Sequence, residues 1–266
     1  MLPQATDFRT ESETLFNLLS SLTDDEMQRS TRFKNWTINE VIGHLHLWNW
    51  AADLSLNDSS GFEDFLNGLA EKIKTTSIRS YESEWLGNLG GRALLDKWHN
   101  FAQEMSDRFA VADPKKRLKW AGPDMSVRSS ITARYMETWA HGQAIYDLLG
   151  VVRENGDQIK NIVILGVNTF GWTFVNRGLD VPLELPYLHL DAPSGDIWEW
   201  GDSSNKNSIG GPAEEFCQVV TQVRNVGDTS LTVKGDIARQ WMAMAQCFAG
   251  PPENPPPVGS RFTEAR

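Results

Sequence analysis

A mixed α+β chain, a helical bundle followed by a small domain that contains strands, is the fold class this sequence predicts. Three observations predict it. The first half carries apolar residues at helical spacing behind a strong helix-start signal. The second half holds strand-like runs joined by a hairpin turn, in the order αββαβα. The chain has 266 residues, 40% hydrophobic and 23% charged, which is the composition of a folded protein long enough for two modest domains.

Phe8 to Leu22 places Leu15, Leu18, Leu19 and Leu22 at helical spacing, and a short polar stretch around Asp24 to Gln28 follows. Trp36-Thr37-Ile38-Asn39-Glu40-Val41 then combines a capping box, Thr37 with Glu40, and a hydrophobic staple, Trp36 with Val41. A helix therefore starts at Thr37 and runs to about Leu54. Asn57 to Gly61 reads as a loop, Phe62 to Ile73 as a shorter amphipathic segment, and the residues up to Tyr81 as a polar stretch. Gly90-Gly91 opens a helix with Leu94, Leu95, Trp98, Phe101, Met105 and Phe109 at intervals of three and four. Ser126 caps a further long helix that Gly150 ends.

Beyond Asn155-Gly156-Asp157 a helix is expected over Gln158 to about Val175, and strands over Pro182 to Leu190 and Ile197 to Trp200, with Ala192-Pro193-Ser194-Gly195-Asp196 as their turn. A helix from Ala213 to Arg224, a strand Leu231 to Val233 and a helix Ile237 to Phe248 complete the pattern. The expected domains are 1–153, 154–250 and a mobile Pro-rich tail, 251–266.

Lys plus Arg number 25 against 35 Asp plus Glu, a net charge of −10, which argues against nucleic acid as a partner. The basic cluster Lys115, Lys116, Arg117 and Lys119 reads as a solvated loop or helix end. No basic flank with an apolar run marks the N-terminus, and no stretch is long and apolar enough for a membrane span. Two cysteines, Cys217 and Cys247, fit a reducing cytoplasm and apolar helix faces rather than a disulfide scaffold or a nucleophile. No phosphate loop or nucleophile elbow occurs. Oligomeric state is not encoded in any motif.

The residues able to do chemistry are few. Five histidines occur, and His44 and His46 lie two apart on the Thr37 helix, so at most one should face the interior. His44 shares the apolar side with Val41, Leu47 and Trp48. Glu137 and His141, at i and i+4, converge on one patch. A carboxylate, an imidazole and a second imidazole from a neighbouring helix could make three ligands of an open divalent-metal site. The competing readings are a core histidine for His44 and an Arg134–Glu137 ion pair. Eleven tryptophans, among them Trp48 and Trp120, could fill a core or wall a small-molecule pocket.

Trp36-Thr37-Ile38-Asn39-Glu40-Val41-Ile42-Gly43-His44-Leu45 resembles the first metal motif of the DinB-like superfamily, in its mycothiol-dependent maleylpyruvate isomerase branch. Met136-Glu137-Thr138-Trp139-Ala140-His141-Gly142-Gln143 resembles the second. Trp120-Ala121-Gly122-Pro123-Asp124, Gly211-Pro212-Ala213-Glu214-Glu215-Phe216-Cys217 and Gln246-Cys247-Phe248-Ala249-Gly250-Pro251-Pro252 are similar to an uncharacterised actinobacterial, wyosine-base-formation-like subfamily. The resemblance implies a DinB-like four-helix bundle with a zinc-type site of His44, Glu137 and His141, and a sterol-carrier-like C-terminal domain. It implies an arginine for a substrate carboxylate or enolate, which falls on Arg224; the alternative for Arg224 is a helix C-cap. It further implies a low-molecular-weight thiol, mycothiol or glutathione, as co-reactant. Trp48, Asn49, Trp120 and Arg134 are the expected substrate pocket. Asn49 stands where close relatives often carry an acid. The expected function is a metal-dependent isomerase or thiol transferase acting on a small organic substrate. A metal hydrolase, a biosynthetic cyclase or lyase, and a non-catalytic carrier are the alternatives.

Overall fold

A computed structural model describes residues 1–261 of the chain, and the last five positions of the expected tail lie outside the described residues. The chain divides into two compact units, Met1–Ile145 and Tyr146–Arg266. The fold is α+β.

The first unit is built on four long helices, α1 (Pro3–Leu19), α2 (Ile38–Asn57), α5 (Gly91–Val111) and α6 (Val127–Leu149), the last of which runs into the second unit. Two shorter helices, α3 (Ser59–Ile73) and α4 (Ile78–Leu86), lie between α2 and α5 in sequence. Helix α1 packs on α5, and α2 packs on α3, α4 and α5. The predicted capping box forms. Thr37 Oγ1 accepts from the Glu40 amide at 3.1 Å, and the Glu40 carboxylate accepts from the Thr37 amide at 2.8 Å. That reciprocal pair satisfies two amides the first turn would otherwise leave open.

Because α2 has neighbours on several sides, both of its histidines are drawn inward, against the expectation that only one would be. His46 is 3% exposed and packs edge-on to Trp85 and Phe101. Helix α4 begins inside the expected polar stretch, which ended near Tyr81, and continues to Leu86. Ser77 caps it by accepting from the Ser80 amide, and Tyr81, Glu82 and Trp85 turn toward its neighbours. A short hairpin with two residues in each strand, β1 (Arg117–Leu118) and β2 (Met125–Ser126), precedes α6. The basic cluster sits there with partners: Lys116 Nζ donates to the Leu56 carbonyl at 2.8 Å, and Lys119 lies 3.9 and 3.8 Å from Glu63 and Asp124.

In the second unit the expected Gln158–Val175 helix is broken into α7 (Lys160–Asn168) and α8 (Phe170–Val175). Strands β3 (Tyr187–Asp191), β4 (Ile197–Trp200), β5 (Ser208–Pro212) and β6 (Thr232–Lys234) form one sheet in the order β4-β3-β5-β6, with β3 and β5 parallel. Leu188 and Leu190 are fully buried on one face, paired with Ile209 of β5 and Trp198 of β4, and α9 (Ala213–Val220) packs on β3 and β5. Helix α10 (Asp236–Met242) ends six residues before the expected Phe248. The chain then turns to let the Cys247 amide reach the Val220 carbonyl at 2.9 Å.

The stretch after Gly250, expected to be mobile, is tied down as far as Arg261. Gln222 donates to the Glu253 carbonyl at 2.8 Å, Asn225 to that of Pro256 at 2.9 Å, and Arg261 to that of Gln222 at 3.0 Å. Extended proline-rich backbone keeps its carbonyls unpaired, and side-chain donors take them up. Cys217 and Cys247 are buried and form no disulfide, and burial pushes the Cys217 thiol well above its usual range. No helix among the described residues is long and apolar enough to cross a membrane.

Candidate metal centre

Helices α2 and α6 bring together the three side chains expected to act as ligands. His44, Glu137 and His141 each offer one ligand atom, and these atoms all lie within 4.8 Å of one another. The two imidazole rings are 4.7 Å apart, nearly edge-to-face. His141 Nε2 is 3.0 Å from Glu137 Oε2, the contact that i,i+4 spacing makes available.

Charge in the cluster is tightly coupled. Burial works against ionisation of Glu137, but the hydrogen bond from His141 and the positive field of Arg134 and the histidines outweigh it, holding its carboxyl at about 2. Burial lowers His141, with the Glu137 hydrogen bond opposing it. One anionic oxygen donor beside two imidazoles is the ligand chemistry of a zinc-type divalent ion, and the residues present fit such a group.

The surroundings come from three places. The turn before α2, with Lys34 and Asn35 at positive φ, folds back so that the Thr31 amide meets the Trp36 carbonyl at 2.7 Å. This sets Phe33 edge-on to His141 at 4.9 Å and Trp36 parallel to it at 6.2 Å. Next along α2, Trp48 stands 5.7 Å from Trp120. Arg134 lies over the Trp120 ring at 5.1 Å and 3.8 Å from Glu137 Oε1. Arg134 is 4% exposed, and its Nε and Nη1 find no hydrogen-bond partner among the described residues. Asn49 is fully buried, and neither atom of its amide head finds a partner among the described residues.

Sequence reasoning missed two contributors. Phe33 lies outside any periodic segment. Glu82 sits on the unpredicted α4, where its Oε1 accepts from His44 Nδ1 at 2.7 Å and from Trp48 Nε1 at 3.1 Å. The available signal was Ser77 as an N-cap ahead of Ile78, Tyr81, Glu82 and Trp85 at helical spacing.

Arg224 lies beyond the end of α9. Its guanidinium grips both oxygens of Asp147 at 2.7 Å, a buried two-point ion pair within the second unit. A cavity of about 90 Å³ between α2 and α4 is lined by Asn39, Glu40, Arg79 and Glu82, among others. Arg79 and Glu40 there already satisfy each other, with Nε and Nη2 each 2.6 Å from a carboxylate oxygen. Its volume is below the roughly 300 Å³ of an ordinary small-molecule site.

Residues 8–146 match the family described as the mycothiol maleylpyruvate isomerase N-terminal domain. Uncharacterized proteins from two strains of Mycobacterium tuberculosis are each 34% identical over 250 residues, which is 94% of this chain and 96% of theirs. Among solved structures, the mycothiol-dependent maleylpyruvate isomerase superposes with a TM-score of 0.58 at 15% identity, covering 87% of this chain and 91% of that one. A histidine-to-alanine mutant of the isomerase gives 0.53 at 16%, covering 82% and 87%. At these identities the structural likeness speaks to the fold alone.

Proposed function

This chain belongs to the mycothiol maleylpyruvate isomerase N-terminal domain family, and from that premise we propose that it is a metal-dependent enzyme. On this reading it uses a low-molecular-weight thiol to isomerise a small unsaturated substrate, or to add the thiol to it. The observation that carries the reading is the convergence of three ligand atoms, from His44, Glu137 and His141, within 4.8 Å. A divalent ion there, zinc by donor type, would supply Lewis acidity that keeps a thiol deprotonated near neutral pH.

The chain's own residues do the rest. Glu137 stays a carboxylate throughout the physiological range and so remains a donor. Trp36 and Phe33 shield His141 from water on one side. Arg134, with two buried nitrogens unmatched by any described protein group, supports a role in holding a substrate oxygen, and Trp120 beneath its guanidinium fixes the plane of approach. Trp48 and Asn49 belong to the same proposed pocket. Addition of a thiolate to an activated alkene turns the double bond into a single bond. Rotation and elimination of the thiol then return the isomer. Arg224 can serve a substrate only by releasing Asp147. Two buried cysteines outside any disulfide suit action in a reducing cytoplasm.

Elemental analysis of protein purified without an affinity tag tests the reading. About one zinc, nickel or iron per chain, lost in both His44→Ala and Glu137→Ala, is the expected result. Wild-type protein that carries no metal and cannot be loaded would overturn it. With metal established, turnover that requires an added thiol separates the isomerase or transferase from a hydrolase, which needs only water.

A further inference from the structure

Glu82 has no part in the chemistry above, yet it is a carboxylate 4% exposed to solvent, a costly placement unless its oxygens are matched to donors. Both donors it meets are side chains of α2, and both address Oε1: the Trp48 indole at 3.1 Å and His44 Nδ1 at 2.7 Å. An indole N–H can only donate and an ionised carboxylate can only accept. The hydrogen between Glu82 and His44 therefore belongs to Nδ1, and the lone pair of the neutral ring falls on Nε2.

The placement of Glu82 is itself over-determined. One turn earlier on α4, Arg79 clamps the Glu40 carboxylate, which also closes the α2 cap. One turn later, Leu86 lies against the bare Cα of Gly43, where an added Cβ would come within 2.4 Å of its Cδ1. A side chain larger than hydrogen at position 43 would push Leu86 away from α2 just where Glu82 must reach it.

Resting on the metal-centre reading, we infer that Glu82 is the positioning residue of that centre, holding His44 as the Nδ1–H tautomer so that Nε2 is the ligand atom. A carboxylate behind a ligating imidazole also raises its basicity, and loss of such a partner typically weakens metal binding by ~10–100-fold.

Zinc affinity of the full chain, measured by competition with a chelating dye, tests this in wild type, Glu82→Gln and Glu82→Leu. Glu82→Gln keeps an acceptor but loses the charge, so its affinity should fall about 10-fold, and that of Glu82→Leu by about 100-fold. Folded variants that bind zinc as tightly as wild type would overturn the inference and leave the metal centre standing. Wild type that binds no zinc would instead remove the metal reading, and this inference with it. If the variants fail to fold, long-range ¹H–¹⁵N NMR of metal-free wild type in alkaline buffer decides: a proton on Nδ1 alone supports the assignment. A proton on Nε2, alone or as well, overturns it.

Discussion

His46 gives the fold a built-in acid sensitivity whose size follows from its surroundings. Burial, with the charge of Lys97 adding to it, lowers this imidazole from 6.5 to about 4. Trp85 and Phe101 face the ring, and Nδ1 has no partner among the described residues that could stabilise a proton. The unfolded chain takes up that proton near 6.5, whereas the folded chain refuses it until about 4. Stability present above 6.5 is thus lost as the pH falls, and the loss is complete once the pH passes the folded value. The full effect is about 3 kcal/mol. Between about pH 7.5 and about pH 5 it is about 2 kcal/mol, from roughly 1.5 pK units at 1.36 kcal/mol each. Urea unfolding of wild type and His46→Leu at both pH values, in excess chelator so that metal ligation does not contribute, isolates the term, because carboxylate titration is common to both proteins. Wild type should lose about 2 kcal/mol more than the variant. Equal losses would refute the assignment of His46 as a buried neutral base.

Three further outcomes follow from the packing. Asp147→Asn leaves the Arg224 guanidinium buried without its two-point partner and should cost about 3–5 kcal/mol in urea unfolding, whereas Asp147→Leu combined with Arg224→Met should recover most of it. Gly43→Ala should lower stability by about 1–3 kcal/mol, because its Cβ would meet Leu86 Cδ1 at 2.4 Å, and adding Leu86→Ala should remove the clash at the expense of a cavity; thermal melts of the three proteins check this. Thr37→Ala removes the oxygen that caps the Glu40 amide and should cost about 1 kcal/mol, read in the same melts.

What could be read from the sequence was whatever is encoded locally. The start of α2 is written in six consecutive residues, Trp36 to Val41, and the Glu137–His141 pair in five, so both were visible and the structure has them. Glu82 was not, because its meaning lies in His44 and Trp48, more than thirty positions away, and because Ser, Glu and Arg dilute the apolar pattern of α4. Strand β5 was hidden by its own composition: Ser208-Ile209-Gly210-Gly211-Pro212 is poor strand material alone, and pairing to β3 on one side and β6 on the other decides the matter. The break at Thr169 is non-local only in part. There Thr169 Oγ1 donates to the Leu165 and Gly166 carbonyls, while Gly166 lies tight against Phe216 and Val220 of α9. The tail was misjudged because proline richness signals extended backbone, and only Gln222, Asn225 and Arg261 show what that backbone docks on.

Helix α4 has nine residues, short of the roughly 12–15 at which a lone helix becomes even marginal in water. It therefore exists through its contacts with α2 and α3, and on the metal-centre reading three of those with α2, Arg79 to Glu40, Glu82 to His44 and Leu86 on Gly43, aim the imidazole. Winding this helix and preparing the ligand are then a single cooperative event. Amide hydrogens over Glu82 to Leu86 should exchange together, and an ion gripped by His44 should slow them by no more than the ~10–100-fold by which loss of Glu82 weakens its binding, so that the centre's occupancy is recorded in the backbone of a segment contributing no ligand.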